Sequence, residues 1–166
     1  TYEDYIVVGF SQVGAESDWR NANTKSMQQA LSEKNGFRLI IDDAQQKQEN
    51  RTASIRSFIQ QKVDVIAFSP VVESGWDTVL KEAQDAGIPV ILTDRAVDSE
   101  DTSLYVTFIG SDFVEEGKRI GDWVSENLGT EPINVVELQG TTGSAPAIDR
   151  KTGFEDAIAG NDNISV

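Results

Sequence analysis

Short apolar runs recur along the chain, and the segments between them carry apolar positions at helical spacing. Ile6-Val7-Val8-Gly9-Phe10, Arg38-Leu39-Ile40-Ile41, Val63-Asp64-Val65-Ile66-Ala67-Phe68 and Val90-Ile91-Leu92 read as strands. Tyr105-Val106-Thr107-Phe108-Ile109 and Asn134-Val135-Val136-Glu137-Leu138 read the same way. Near-continuous apolar runs of this length belong to strands covered on both faces. Helical patterns fill 19–35, 50–61, 75–86, 114–128 and 147–159. In the first, Ala22, Met27, Ala30 and Leu31 keep the spacing of one helix face, and Asn35-Gly36 is expected to close it. Gly87 ends the third, with Pro89 just beyond. Such alternation predicts an α/β fold, a parallel sheet with right-handed crossovers.

Two places break the alternation. The connection over 94–103 has no room for a crossover helix. Asn163-Ile164-Ser165-Val166 reads as the opening of a further strand, cut off before it can pair, as though the sequence stopped inside a fold. No apolar run approaches the roughly 18 residues of a membrane span. The opening Thr1-Tyr2-Glu3-Asp4-Tyr5 is acidic, and no basic leader segment is visible.

Composition removes much chemistry. The chain of 166 residues has 28 Asp and Glu against 14 Lys and Arg, a formal net charge of −14. Phosphate neutralisation needs clustered Lys and Arg, so a nucleic-acid partner is disfavoured, as is an anionic membrane surface. Histidine and cysteine are absent. Ser-His-Asp and Cys-His catalysis, thiolate–imidazole zinc sites and disulfides are therefore excluded.

Ligands of open α/β sheets bind beyond the carboxyl ends of the strands. Here those positions hold Ser11, Gln12, Glu16, Ser17, Trp19 and Arg20, then Asp42-Asp43, Ser69-Pro70, Asp94-Arg95, Ser111-Asp112, and finally Gln139-Gly140 with Asp149-Arg150. Arginine forks can bridge neighbouring oxygens, carboxylates accept from hydroxyls, and an indole offers a flat platform to a ring. Together these groups suit an uncharged polyol such as a monosaccharide, and no pair is placed for general acid–base work. Gly140-Thr141-Thr142-Gly143 lacks the lysine and the glycine spacing of a phosphate loop. Each feature also has a plainer reading. Asp94-Arg95 could be a surface ion pair, Trp19 a core aromatic at a helix start, and Glu16 a carboxylate favoured at a helix N-terminus. Ser74-Gly75-Trp76 reads as a cap region over a packed aromatic, Asp42-Asp43 as solvated charge, and Asn50-Arg51-Thr52 as a chance glycosylation pattern.

Taken in order, several stretches resemble one family. They are Gly9-Phe10-Ser11-Gln12-Val13-Gly14 with Glu16-Ser17 and Trp19-Arg20, then Gln45-Gln46-Lys47-Gln48-Glu49-Asn50. Pro70-Val71-Val72 with Gly75-Trp76, Ile88-Pro89-Val90 with Asp94-Arg95, and Val136-Glu137-Leu138-Gln139-Gly140 leading to Asp149-Arg150 and Gly153-Phe154 complete the set. The sequence resembles the periplasmic sugar-binding proteins of ABC importers, of the ribose-binding type, and within them the galactofuranose-binding group. The resemblance implies two flavodoxin-like lobes of a type I periplasmic binding fold that close on a sugar, in a chain near twice this length. Residues 1–110 would form the N-terminal sugar-binding lobe, Ser111-Asp112 the first crossing, and 111–166 the start of a truncated C-terminal lobe. It further implies sugar contacts at Ser11, Glu16, Trp19, Arg20, Asp94, Arg95 and Arg150, with no catalytic residue, metal or cofactor. The expected partners are a monosaccharide of galactofuranose or galactose type and an ABC importer permease. The expected location is the periplasm or the outer face of a membrane, where a lipid anchor upstream of Thr1 would fit. An effector-binding core of a LacI-type repressor and the ligand-sensing domain of a receptor share the fold and remain alternatives, with a carboxylate-dependent hydrolase as the enzymatic one.

Overall fold

The apolar runs up to Gly110 assemble into one parallel sheet. Its strands are β1 (Ile6–Gln12), β2 (Phe37–Asp43), β3 (Val65–Phe68), β4 (Val90–Asp94) and β5 (Thr107–Gly110), ordered β2-β1-β3-β4-β5. This is the flavodoxin-like doubly wound order. The structure, a computed structural model, describes residues 4–128 and 130–166. Thr1, Tyr2 and Glu3, with which the predicted first lobe begins, and Gly129 lie outside the described residues. Strand β1, between β2 and β3, sets Phe10 opposite Ile41 of β2 and Ala67 of β3.

The core lies on one face of this sheet. α2 (Gln48–Gln60) and α3 (Asp77–Asp85) bring Ile55, Phe58, Val79, Leu80 and Ala83 against Ile66, Phe68, Val90 and Leu92. Trp76 is wholly buried there, its ring centroid 4.8 Å from that of Phe68 and its Nε1 donating to the Val72 carbonyl at 2.7 Å. Core packing is thus its role. A Cβ on Gly9 would stand 2.5 Å from Cγ of Phe58, so the approach of α2 to β1 requires glycine at this position.

α1 (Asp18–Ala30) is shorter than the predicted 19–35. The Asn35 side chain donates to the carbonyls of Gln29 and Ala30 at 3.2 and 2.9 Å, which satisfies the last turn without extending it. A 3-10 turn, Glu33–Asn35, follows, and Gly36 at φ 85° closes that turn rather than α1. The expected apolar stripe of α1 is only partly covered: Ala22 and Ala30 are exposed, Met27 and Leu31 half-buried, and Arg20 is the buried residue of the helix. Between β4 and β5 the chain makes only a 3-10 turn, Thr102–Leu104, as the short connection predicts.

A second unit spans Ser111–Val166. α4 (Phe113–Leu128) and α5 (Ala145–Ile158) cross so closely that a Cβ on Gly117 would overlap the Arg150 carbonyl, and one on Gly153 that of Val114. β6 (Ile133–Asn134) and β7 (Ile164–Ser165) form a parallel pair. The terminal run therefore does pair, contrary to the expectation that it stops too soon. Of the expected strand over 134–138 only Asn134 lies in β6, which begins a residue earlier and pairs with just Ile164 and Ser165. Val135 N still reaches the Ser165 carbonyl at 2.7 Å, but Val136 and Leu138 are 84% and 95% exposed. Among the described residues no helix is long and apolar enough to cross a membrane.

Candidate functional site

The sheet order reverses between β1 and β3, and a crevice opens at such a point beyond the strand ends. Ser11, near the end of β1, is buried, and its carbonyl receives the Ser69 amide at 3.4 Å. Beside it, the Gln12 side chain accepts from Val13 N at 2.9 Å and donates to Asn23 and Thr24 at 2.7 and 3.1 Å, tying the loop to α1. Ser17 caps α1 by accepting the Arg20 amide at 3.2 Å, satisfying an orphan N–H of the first turn. The cap sets Arg20 in that first turn, facing inward, while Trp19 beside it stays 54% exposed. Trp19 is thus no core aromatic.

Arg20 organises the charges. Its Nη1 donates to Asp94 Oδ2 at 2.6 Å and its Nε to Glu16 Oε1 at 3.3 Å, and its guanidinium carbon lies 4.8 Å from the Trp19 ring centroid. Asp94 Oδ2 also receives the Ser69 hydroxyl at 3.2 Å and has Arg95 Nε at 3.8 Å. Arg95 Nη1 donates to the Val71 carbonyl at 3.1 Å. Asp94 ends β4 at φ 65°, a left-handed conformation that Asp and Asn tolerate better than other side-chain-bearing residues. Ser11, Glu16, Trp19, Arg20, Asp94 and Arg95 thus all lie at the carboxyl edge of the first sheet. Glu16 lies one residue before the cap and pairs with Arg20 rather than acting on the helix end alone.

Arg150 belongs to the second unit. Its Nε donates to Glu116 Oε2 at 2.8 Å, and its guanidinium lies 4.6 Å from the Phe113 ring centroid. In the same unit, burial first and then the Asp112 charge push the Asp149 carboxyl above its ordinary range.

Arg51 escaped the sequence reading. It is wholly buried beneath the strand ends, and its Nη1 donates to the Ser11 carbonyl at 2.9 Å and, at still shorter range, to that of Ser69. Burial, then the charges of Arg20 and Arg95, lower its pKa to about 9, so it remains a cation at neutral pH. The signal was present: Arg51, Ile55 and Phe58 follow one inward helix face, and a cation on such a face calls for buried acceptors. Asp42 is likewise more than solvated charge, since it accepts the Ser54 hydroxyl.

The arginines of this edge are matched by carboxylates. Arg20 and Arg95 meet Glu16 and Asp94, while Asp42 and Asp43 act on Arg51. A ligand arriving here need not supply negative charge, and it meets donors and acceptors in alternation. Depressions of about 430 and 470 Å3 flank β2, away from Arg20 and Asp94.

The model of the periplasmic binding protein domain matches residues 8–166. The galactofuranose-binding protein YtfQ of Escherichia coli (strain K12) is 53% identical over 161 residues, which are 97% of this chain and 50% of that protein. A solved structure from Mycobacterium smegmatis in complex with beta-D-fucofuranose is 59% identical, with a TM-score of 0.89 over 96% of this chain and 53% of that one. The periplasmic binding protein component of the arabinose ABC transporter from Shewanella sp. ANA-3, bound to alpha and beta-L-arabinofuranose, is 48% identical. Its TM-score is 0.87 over 96% of this chain and 52% of that one. This chain spans about half the length of the relatives it matches. The family match takes in residues of both units, and the chain belongs to the periplasmic binding protein domain family.

Proposed function

We propose that this chain carries the sugar-binding edge of an extracytoplasmic solute-binding protein that captures a monosaccharide and delivers it to an ABC importer. The observation that carries the reading is the charge-compensated cluster of Arg20, Asp94 and Arg95 at the sheet's switch point. Charges paired in this way suit a neutral ligand rich in hydroxyls, because neither partner is left bare when the ligand departs. The relatives named above bind galactofuranose, fucofuranose and arabinofuranose, which favours a five-membered sugar ring. In this reading the contacts of Asp94 converge on Oδ2, so Oδ1 is offered to a sugar hydroxyl. Arg95 supplies a second fork, and the exposed Trp19 ring covers an apolar face of the sugar. The first unit acts as one sugar-binding lobe and Ser111–Val166 belongs to the other, with Arg150 its candidate contact residue.

Tryptophan fluorescence on the full-length protein tests this, titrated with galactose, arabinose, ribose and glucose against a non-sugar control. A saturable change for galactose or arabinose supports the reading. A flat response across the panel overturns it.

A further inference from the structure

Arg51 lies under the binding edge. One of its nitrogens, Nη1, donates to the carbonyls of both Ser11 and Ser69, and the Ser69 amide donates to the same Ser11 carbonyl. The carboxyl ends of β1 and β3 are therefore joined through a single rigid guanidinium where the sheet order reverses. Ser69, held in this way, turns its hydroxyl onto Asp94 Oδ2, the oxygen that also takes Arg20.

This arrangement is a poor one for stability alone. Arg51 Nε and Nη2 are buried without hydrogen-bond partners, and so is Ser11 Oγ. Buried polar groups left unpaired are destabilising, and what the bonds from Nη1 set against that penalty is the satisfied carbonyls of Ser11 and Ser69. The cation is explained by what it arranges.

We propose that Arg51 is a positioning residue of the binding edge: through the main chain of Ser11 and Ser69 it sets the spacing of the β1 and β3 ends, and so the placement of Asp94 and Arg20. For its affinity consequence the inference rests on the sugar-binding reading above. Its structural consequence stands apart from any ligand.

The test uses the full-length protein with Arg51→Gln, Arg51→Lys, Ser69→Ala and the double variant Arg51→Gln/Ser69→Ala. Amide hydrogen exchange without ligand comes first. In Arg51→Gln the Ser69 amide is expected to exchange about tenfold faster, as in local opening. The Ile66 amide, bonded to the Pro89 carbonyl at 3.0 Å in the same strand, should keep its rate. Equal acceleration at both amides, or none at Ser69, overturns the proposal.

Affinity for galactose and arabinose comes second. Arg51→Gln is expected to weaken binding about tenfold, and Arg51→Lys less, since an ammonium also donates to two carbonyls. The two single effects should fall short of multiplying in the double variant, because the part of the Arg51 effect that passes through the Ser69 hydroxyl is already lost. Fully multiplicative effects, or wild-type affinity in Arg51→Gln, overturn the proposal. If Arg51→Gln does not fold, Arg51→Lys carries both readouts. A wild-type protein that binds neither sugar, with a localised response at Ser69, overturns the sugar reading and upholds the positioning.

Discussion

Arg20 Nη1 donates to Asp94 Oδ2 at 2.6 Å across a sequence separation of 74 residues. Arg20 comes from the first turn of α1 and Asp94 from the end of β4, with β3 between β1 and β4 in the sheet. The pair spans the end of β3, and the Ser69 hydroxyl supports it from there. Two bonds to one carboxylate oxygen thus link α1, β3 and β4 at the edge where a ligand would sit.

Asp94→Asn separates charge from backbone. Asparagine tolerates the left-handed φ of 65° as aspartate does, so the loop should keep its course. The charged acceptor that the carboxylate offers a sugar hydroxyl becomes a neutral amide, and a hydrogen bond to a charged group is worth about 1.5–3 kcal/mol, or roughly ten- to a hundredfold in sugar affinity. Calorimetric titration of the full-length variant reads this directly. Unaltered affinity would remove Asp94 from the site.

Trp19 is the reporter. The chain has 3 tryptophans, of which Trp76 is wholly buried while Trp19 and Trp123 are 54% and 56% exposed. Trp19→Phe should abolish the sugar-dependent emission change while keeping an aromatic platform, and Trp123→Phe should preserve it. The opposite result moves the ligand to the second unit.

The α4–α5 crossing depends on glycine. Gly153→Ala places a methyl against the Val114 carbonyl, and main chain cannot yield as a flexible side chain does. The expected loss is about 1–3 kcal/mol, the usual cost of overpacking. Urea unfolding monitored at Trp123 on α4 should show it, and an unchanged midpoint would mean the helices can move apart freely.

Asp149 gives a pH signature. Burial, and then Asp112, raise its pKa, so the folded state binds this proton more tightly than the unfolded state does. Stability then falls as pH rises from the ordinary aspartate value through the raised one, and the penalty is full above it. Asp149→Asn should accordingly have a higher Tm than the wild type at neutral pH, with the difference vanishing below about pH 3.9. Thermal scans across that range decide it, and a constant difference at all pH values would assign the effect to packing instead.

Legibility differed from residue to residue. The β1, β3 and β4 runs announced themselves because a strand buried on both faces leaves little room for polar residues. Asp94-Arg95 and Glu16 were visible because they follow strand ends, where an α/β sheet presents its ligands. Arg51 was not, because its partners are main-chain carbonyls and carry no side-chain signature. The end of α1 is not legible in the sequence because Asn35 reaches back to the Gln29 and Ala30 carbonyls and stops the helix short of Gly36. The length of β6 is not legible either, because a strand extends only as far as its partner.

By itself the sequence determined the class of fold, the exclusion of histidine and cysteine chemistry, and the polar groups that stand at the strand ends. Those follow from local spacing and composition, which act over a few residues. Tertiary structure alone decided which charges meet. Arg20 pairs with Glu16 and Asp94, Arg150 pairs with Glu116 instead, and Arg51 binds β1 to β3. Glu16 lies within a helical turn of Arg20, but Asp94, Glu116 and the Ser11 and Ser69 carbonyls are distant in sequence, and only packing brings them within reach.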